Sequence, residues 1–283
     1  MILMEQCNSI LINRFFSKNT FRQIISEGKS STFSDTIDRY VDNKETLNNN
    51  VDYINAVYHY LDINYRNEYF YKNTLLNKLL LGRHSLNTTT ALTELPIGGS
   101  VADFILINGK AVVYEIKTEL DNFERLQGQI FDYYKAFTRV TVVTAEKNYS
   151  EISGLLAGTP VGICILTSRD TLSFRKEPEE YKKSLDHTVI FNILRKSEFG
   201  SILKQNYPFL PSVSDFDYYR SCENLFNKID IEIAYNAFIK ELKKRSNVNK
   251  DYFTEMPYSM KFLTYFSNYS NKDYSRLISF LNS

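Results

Sequence analysis

The stretch Val101-Ala-Asp-Phe-Ile-Leu-Ile-Asn-Gly-Lys-Ala-Val-Val-Tyr-Glu-Ile-Lys117 decides the fold that this 283-residue sequence predicts. Apolar runs lie on both sides of Asn108-Gly109, a dipeptide that favours a two-residue β-hairpin turn. A third β-rich run, residues 88–95, comes just before and is separated by a Pro-Ile-Gly-Gly turn signal. The sequence therefore predicts three antiparallel strands in succession.

The segments around these strands complete an α/β pattern. Apolar periodicity predicts one bent helix or two helices over residues 51–81 and a further helix near residues 121–138, opened by a capping box from Asp121 to Glu124. Two almost wholly apolar runs, 140–145 and 161–167, are typical of central parallel strands, and a short helix near residues 150–157 joins them. The expected fold is an αβββαβ core in which helices flank a mixed sheet.

We divide the chain into three segments on this pattern. Residues 1–50 form an N-terminal helical extension, residues 51–168 form the core, and residues 169–283 form a helical C-terminal region. In this last region the sequence predicts four helices, with Asp230 as the N-cap of the fourth: residues 177–185, 188–204, 218–228 and 231–245.

Composition narrows the classes of function. The chain has 34 Lys and Arg against 33 Asp and Glu, a formal net charge of +1, which excludes a protein that grips a polyanion by bulk charge. Its three cysteines and three histidines show no zinc-site spacing, so any metal is expected to be bound by oxygen atoms. The N-terminus has no signal-peptide character and no apolar run is long enough to span a membrane, so we expect a cytoplasmic protein without membrane contact.

Asp103, Glu115 and Lys117 are the candidate catalytic residues. Side chains alternate along a strand, so Glu115 and Lys117 share a face, and the hairpin folds them back beside Asp103. Two carboxylates can hold a hard divalent ion that activates water, and an ammonium group can stabilise developing negative charge. The alternative is an edge-strand ion pair between Glu115 and Lys117.

Two further acids are candidates for completing a metal site. Glu68 lies within an apolar stripe of the helix that precedes the strands, which would bring it to the sheet. Its alternative role is an exposed ion pair with Lys72, four residues later. Glu94, near the end of the first strand, is the rival of Glu68 for the same function.

The helix after the third strand carries Arg125, Gln129 and Tyr133 at intervals of four residues. Gln129 could bond a strand terminus or the catalytic lysine, and Arg125 could contact phosphate, unless the stripe is merely a polar helix shoulder. The predicted helix over residues 231–245 ends in a basic set: Lys240, Lys243, Lys244 and Arg245. This set is either a face that contacts phosphates along a nucleic acid or a solvated helix end whose charge complements the helix dipole.

The order of these residues resembles the PD-(D/E)XK nuclease superfamily. Glu115-Ile-Lys117 matches the core motif, and Gln129-Ile-Phe-Asp-Tyr133 is similar to the Q-x-x-x-Y motif of the RecB-like branch. Small bacterial and phage-associated members are also similar around Glu68. The resemblance covers about residues 51–168 and departs from the family at Ala102, where the family name calls for proline.

The resemblance implies a restriction-endonuclease-like core with a Mg²⁺ or Mn²⁺ site. It assigns Asp103, Glu115 and Glu68 to the metal, Lys117 to catalysis, and Gln129 with Tyr133 to the helix motif.

We expect a metal-dependent nuclease that acts on nucleic acid, with DNA favoured over RNA, in phage defence or a mobile element. The alternative is a catalytically silent module that binds nucleic acid or protein on a nuclease-like scaffold. A third hypothesis is a nuclease controlled by an activating partner protein or by formation of a homodimer.

Overall fold

The computed structural model describes residues 10–82, 85–245 and 248–283. Cys7, His84 and the N-terminal residues that we tested for a signal peptide lie outside these ranges. Contacts divide the described chain into two compact units. One unit combines residues 10–82 with 248–283, and the other comprises residues 85–245.

The first unit begins with helices whose ends are fixed by short polar side chains. After a helical stretch at residues 10–15, the elements are α1 (Lys18–Glu27), α2 (Ser31–Tyr40), a 3-10 turn (Lys44–Thr46), α3 (Asn50–Asn64), and α4 (Glu68–Leu75), which continues as a π-helix (Leu76–Leu81). Asn49 caps α3 by accepting from the amide of Asp52, and Asn67 caps α4 by accepting from that of Phe70. Separate caps explain why residues 51–81 form two helices.

The second unit is built on a six-stranded sheet whose spatial order equals its chain order. Its elements are β1 (Thr90–Ile97), β2 (Ser100–Asn108), β3 (Lys110–Lys117), α5 (Leu126–Tyr134), β4 (Val140–Thr144), a 3-10 turn (Glu146–Asn148), α6 (Tyr149–Leu155), β5 (Gly162–Leu166) and β6 (Leu172–Lys176). Strands β1 to β3 are antiparallel, whereas β3, β4 and β5 are parallel. The mixed α/β fold predicted from the sequence is therefore confirmed.

The turn between β2 and β3 shows why the hairpin forms where the sequence places it. Asn108 pairs with Lys110 across the turn, and Gly109 between them has a φ of 68°, in the left-handed region that glycine occupies without a steric penalty. The all-apolar strands β4 and β5 are buried along their whole length. Helix α5 packs over β2 and β4, and a continuous apolar core fills the space between helices and sheet.

Three predictions after residue 168 are wrong. The single helix predicted over residues 188–204 is interrupted, because Leu194 and Arg195 are extended, and forms two helices, His187–Ile193 and Lys196–Asn206. Strand β6 pairs antiparallel with β5, although the sequence suggested that strands had ended. Residues 177–185 form no helix, because their backbone is bonded elsewhere. The amide of Glu179 donates to Pro160 O at 2.9 Å and the amide of Tyr181 donates to Thr138 O at 2.8 Å. These long-range bonds hold the segment in an irregular conformation.

The remaining helices complete both units. Helices α7 (His187–Ile193), α8 (Lys196–Asn206), α9 (Asp215–Phe226) and α10 (Ile231–Lys243) belong to the second unit. Helices α11 (Lys250–Glu255), α12 (Lys261–Phe266) and α13 (Asn271–Leu281), with a 3-10 turn at Tyr258–Met260, belong to the first. Asp230 caps α10 as predicted, accepting from the amides of Glu232 and Ile233.

The two units do not follow the segment boundaries that we placed at residues 50 and 168. Helix α12 contacts α4, so the end of the chain returns to the unit in which the chain begins. Side chains of α7 to α10 enter the core that covers the sheet, so these helices share a unit with the strands. In the described part of the chain, no helix combines the length and apolar character that crossing a bilayer requires.

Candidate functional site: a carboxylate and lysine cluster on the sheet

Asp103 lies where strands β2 and β3 separate. The backbone pairing of these strands runs from the hairpin to Phe104 opposite Tyr114 and stops there. Beyond that point a side chain replaces the backbone acceptor: Asp103 Oδ2 accepts from the amide of Ile116 at 2.8 Å. The side chain thus satisfies a backbone donor that the ladder leaves open and fixes the carboxylate beside β3.

Glu115 and Lys117 lie next to each other on β3, as strand alternation predicts. Lys117 Nζ is 3.0 Å from Glu115 Oε1, and the side chains are only 12% and 2% exposed, respectively. Strand β3 lies between β2 and β4, so this ion pair is not the edge-strand pair considered as an alternative. Charges so deeply buried are costly unless they are paired or bind a ligand.

Helix α5 brings Gln129 and Tyr133 onto the same two residues. Gln129 Oε1 accepts from Lys117 Nζ at 2.9 Å, and the Tyr133 hydroxyl donates to Glu115 Oε2 at 2.6 Å. That hydroxyl is also 2.8 Å from Val101 O, but its single proton favours the charged acceptor. The structure therefore joins four of the predicted residues in one network, with Asp103 on the adjacent strand.

The electrostatics of this network are dominated by burial. Burial raises the pKa of Glu115, although hydrogen bonds from Tyr133 and Gln129 and the charge of Lys117 oppose the shift. Burial, together with the nearby negative charge of Glu115 and Asp103, raises the pKa of the Tyr133 hydroxyl far above its usual value. Tyr133 therefore remains a neutral donor, and Glu115 is held in a place that disfavours its charge.

The donor chemistry of the cluster fits a hard divalent ion that keeps part of its water shell. Asp103 and Glu115 supply two carboxylates from neighbouring strands. No group of three Asp, Glu, His or Cys side chains able to hold a metal occurs among residues 10–82, 85–245 and 248–283. Mg²⁺ is commonly bound through one or two carboxylates, with waters and substrate phosphates as its other ligands.

The structure places the two candidate third acids differently. Glu68 opens α4 in the first unit, is 57% exposed and pairs with Lys72 at 2.5 Å, which is the contact of our alternative interpretation. Glu94 lies opposite Asp103 in the register of β1 and β2, at a point that the backbone pairing skips. Its φ of 54° is unusual for a residue with a side chain, so the backbone of β1 is distorted beside Asp103 although the register on both sides is the same.

The segment between Lys117 and α5 does not form the capping box that we predicted from Asp121 to Glu124. The side chain of Asp121 accepts from both the amide and the hydroxyl of Thr118, each at 2.7 Å, and so closes a turn directly after Lys117. Helix α5 begins only at Leu126, with the exposed Arg125 in the N-cap position and no side-chain cap.

Asn148 is a site neighbour that sequence reasoning missed. Its amide nitrogen donates to Thr118 O at 3.0 Å and approaches the hydroxyl of Thr144 at 3.3 Å. Thr144 pairs with Lys117 in the parallel register of β3 and β4. Asn148 thus fixes the chain immediately after the lysine, but its separation of thirty residues from Thr118 leaves no local sequence signal.

The basic cluster at the end of α10 is only partly available to a ligand. Arg245 forms a two-pronged contact with Glu198, with Nε 2.7 Å from Oε1 and a terminal nitrogen 2.5 Å from Oε2. Lys244 donates to Glu241 at 2.6 Å. A phosphate-tracking role is therefore wrong for Arg245, because a buried carboxylate already occupies its guanidinium group.

The fold and the cluster define a mixed α/β protein with two carboxylates, a lysine and their helix partners on one sheet. Residues 62–266 match the family described as Bacteriophage P4 protein cII, and the chain belongs to this family. It is similar to Protein cII of Enterobacteria phage P4, with 27% identity over 173 residues. That alignment covers 59% of this chain and 64% of the phage protein. No solved structure matches the chain.

Proposed function

We propose that the protein is a metal-dependent nuclease that hydrolyses phosphodiester bonds in nucleic acid, with DNA favoured over RNA. The observation that carries the proposal is the meeting of Asp103, Glu115 and Lys117 on two adjacent strands. The resemblance to PD-(D/E)XK nucleases supports the same interpretation, because its two helix-motif residues, Gln129 and Tyr133, contact Lys117 and Glu115.

Each residue of the cluster has a distinct part in the proposed chemistry. Asp103 and Glu115 would hold Mg²⁺ or Mn²⁺, which when bound lowers the pKa of a coordinated water and offsets phosphate charge. Lys117 would orient the attacking water and stabilise the negative charge that develops on the phosphate oxygens. Gln129 positions the lysine, and Tyr133 fixes the rotamer of Glu115 through its hydroxyl.

The biological setting is a proposal of the same kind. A relative from a phage supports a role in a mobile element or in phage defence. We further propose a cytoplasmic location, and control by a homodimer or an activating partner protein stays a prediction.

A second candidate, a catalytically silent binding module, is favoured by one observation. Both carboxylate oxygens of Glu115 are bonded within the protein, one to Lys117 and one to Tyr133. A site of this kind can be a structural network that stabilises the sheet rather than a metal site.

Cleavage assays separate the two candidates. Labelled duplex DNA, single-stranded DNA and RNA are incubated with the wild type and Lys117→Ala, in Mg²⁺, Mn²⁺ or EDTA. We expect metal-dependent cleavage that falls by about 10²- to 10³-fold in Lys117→Ala, the usual cost of losing one group that stabilises transition-state charge. The matched control is Lys110→Ala, an exposed lysine on the same strand.

Cleavage by Lys117→Ala at the wild-type rate would contradict the assignment of the site. If the wild type cleaves none of the three substrates, and Mn²⁺ does not bind it, the silent module becomes the better account.

A further inference from the structure

The second unit, which contains the sheet, has a further surface whose positive charge suits a polyanion. Helices α8 and α10 enclose a groove of about 380 Å³. It is lined by three lysines and three other residues: Gln205, Ala237, Lys240, Glu241, Lys243 and Lys244. A groove with three cations and one acid is a local departure in a chain whose net charge is only +1.

The acid in this groove does not cancel the field of the lysines. Glu241 is buried, and its Oε1 accepts from Ser201 at 3.1 Å and from Lys244 at 2.6 Å. Lys240 and Lys243 are exposed, and neither makes an ion pair with any residue that the structure describes. These two ammonium groups therefore face solvent with their charge uncompensated.

A hydrogen bond connects the end of α10, which lines this groove, to strand β1, which runs beside the candidate active site. Thr90 Oγ1, at the start of β1, donates to Lys243 O at 2.6 Å. Glu94, which lies opposite Asp103, is four residues further along β1, a distance of about 13 Å at the usual rise per residue. A duplex presents one phosphate per strand about every 3.4 Å, so one bound backbone can reach both places.

The opposite approach to the site is unfavourable for a polyanion. The segment that follows Lys117 carries three exposed carboxylates, Glu119, Asp121 and Glu124, against one exposed cation, Arg125. Lys147 offsets only the first of them, at 2.8 Å.

We propose that the groove between α8 and α10 binds the phosphodiester backbone of nucleic acid and guides it to the Asp103 site. Lys240 and Lys243 are the phosphate-contacting residues. This inference rests on the proposed function for the identity of the ligand, but it concerns binding and not cleavage.

The test measures binding of a labelled 20-base-pair DNA duplex and of its single strand by fluorescence anisotropy, in EDTA and over a series of salt concentrations. The test variant is Lys240→Gln/Lys243→Gln. The matched control is Lys110→Gln/Lys228→Gln, which removes the same charge from exposed lysines outside the groove. Lys244 is left intact because it neutralises the buried Glu241.

We expect the groove variant to bind about tenfold more weakly at low salt and to lose about two from the slope of log K against log salt concentration. The control should keep the wild-type slope, and Lys117→Ala should still bind although its cleavage is slower by about 10²- to 10³-fold. Binding by the groove variant with the wild-type slope would overturn the groove alone, and the lysines would then only complement the helix end. Absence of DNA binding by the wild type would overturn the groove and the preference of the proposed nuclease for DNA.

Discussion

Two buried glutamates in the sheet unit face opposite electrostatic conditions. Burial raises the pKa of Glu198 as well, but hydrogen bonds from Arg245 and from the Arg195 backbone outweigh this effect, so its pKa is lowered. At Glu115 burial outweighs the opposing contacts, and the pKa is raised. The two sites therefore differ in how completely the fold compensates the charge.

This difference separates a structural ion pair from a candidate reactive site. Glu198 accepts two bonds from the planar guanidinium of Arg245 and one from the Arg195 amide, as expected of a group that holds helices together. Glu115 accepts one bond from the neutral Tyr133 hydroxyl, and its only cationic partner, Lys117, also donates to Gln129. A carboxylate held against its preferred protonation state is a feature of functional sites, where an added cation supplies the missing compensation.

The largest expected effect is on the structural pair. Arg245→Ala should destabilise the protein by about 3–5 kcal/mol, because it leaves the buried Glu198 carboxylate unpaired. Urea unfolding measures the change, and Lys243→Ala, an exposed neighbour, should stay within about 0.5 kcal/mol of the wild type. A loss below about 1 kcal/mol for Arg245→Ala would mean that Glu198 is not fully compensated by this contact, and the comparison would fail.

A smaller effect is expected where the tyrosine supports Glu115. Tyr133→Phe removes the hydroxyl that donates to Glu115 Oε2, a charge-assisted bond worth about 1.5–3 kcal/mol. The loss should appear in urea unfolding at neutral pH and shrink in acid, where Glu115 is protonated. Tyr149→Phe, on a half-buried tyrosine of α6, serves as the matched control. Equal losses at both pH values would show that the hydroxyl serves Val101 O instead.

The smallest expected effect is the change in the free energy of unfolding with pH that the two glutamates cause. The folded pKa of Glu115 lies above the unfolded value, so its contribution to stability is present below pH 4.5 and is lost as the pH rises through the folded pKa. For Glu198 the folded pKa is lower, so its contribution is present above pH 4.5 and is lost as the pH falls through the folded pKa.

Glu115→Gln and Glu198→Gln test these signs through the free energy of unfolding between pH 3.5 and 8. Wild type minus Glu115→Gln should decrease with rising pH, and wild type minus Glu198→Gln should increase. Neither slope can exceed about 1.4 kcal/mol per pH unit for one proton. Slopes of the same sign would remove the distinction between the two sites.

The sequence predicts most of the sheet because its signals are local. Asn108-Gly109 sets the hairpin, and β-branched residues mark the strands, so Asp103, Glu115 and Lys117 could be brought together without coordinates. Strand alternation and helix periodicity likewise placed Gln129 and Tyr133 on one side, where both contact the cluster.

The features that sequence reasoning missed depend on distant contacts. Residues 177–185 have a helical composition, but bonds to Pro160 and Thr138 override it. Glu198 and Arg245 are 47 positions apart, so no local sequence motif predicts their ion pair. At Glu68, by contrast, the sequence left two roles open, and the structure shows the exposed pair with Lys72.

The most direct test of the central claim is the melting temperature of the wild type and of Glu115→Gln during titration with Mn²⁺. If Asp103 and Glu115 hold a divalent ion, Mn²⁺ should raise the melting temperature of the wild type. At ten times the dissociation constant the free energy of unfolding should increase by about 1.4 kcal/mol, whereas that of Glu115→Gln should hardly change. Glu177→Gln, the same change on an exposed carboxylate, should behave as the wild type does. An equal response of all three proteins, or none in the wild type, would contradict a metal site at Glu115.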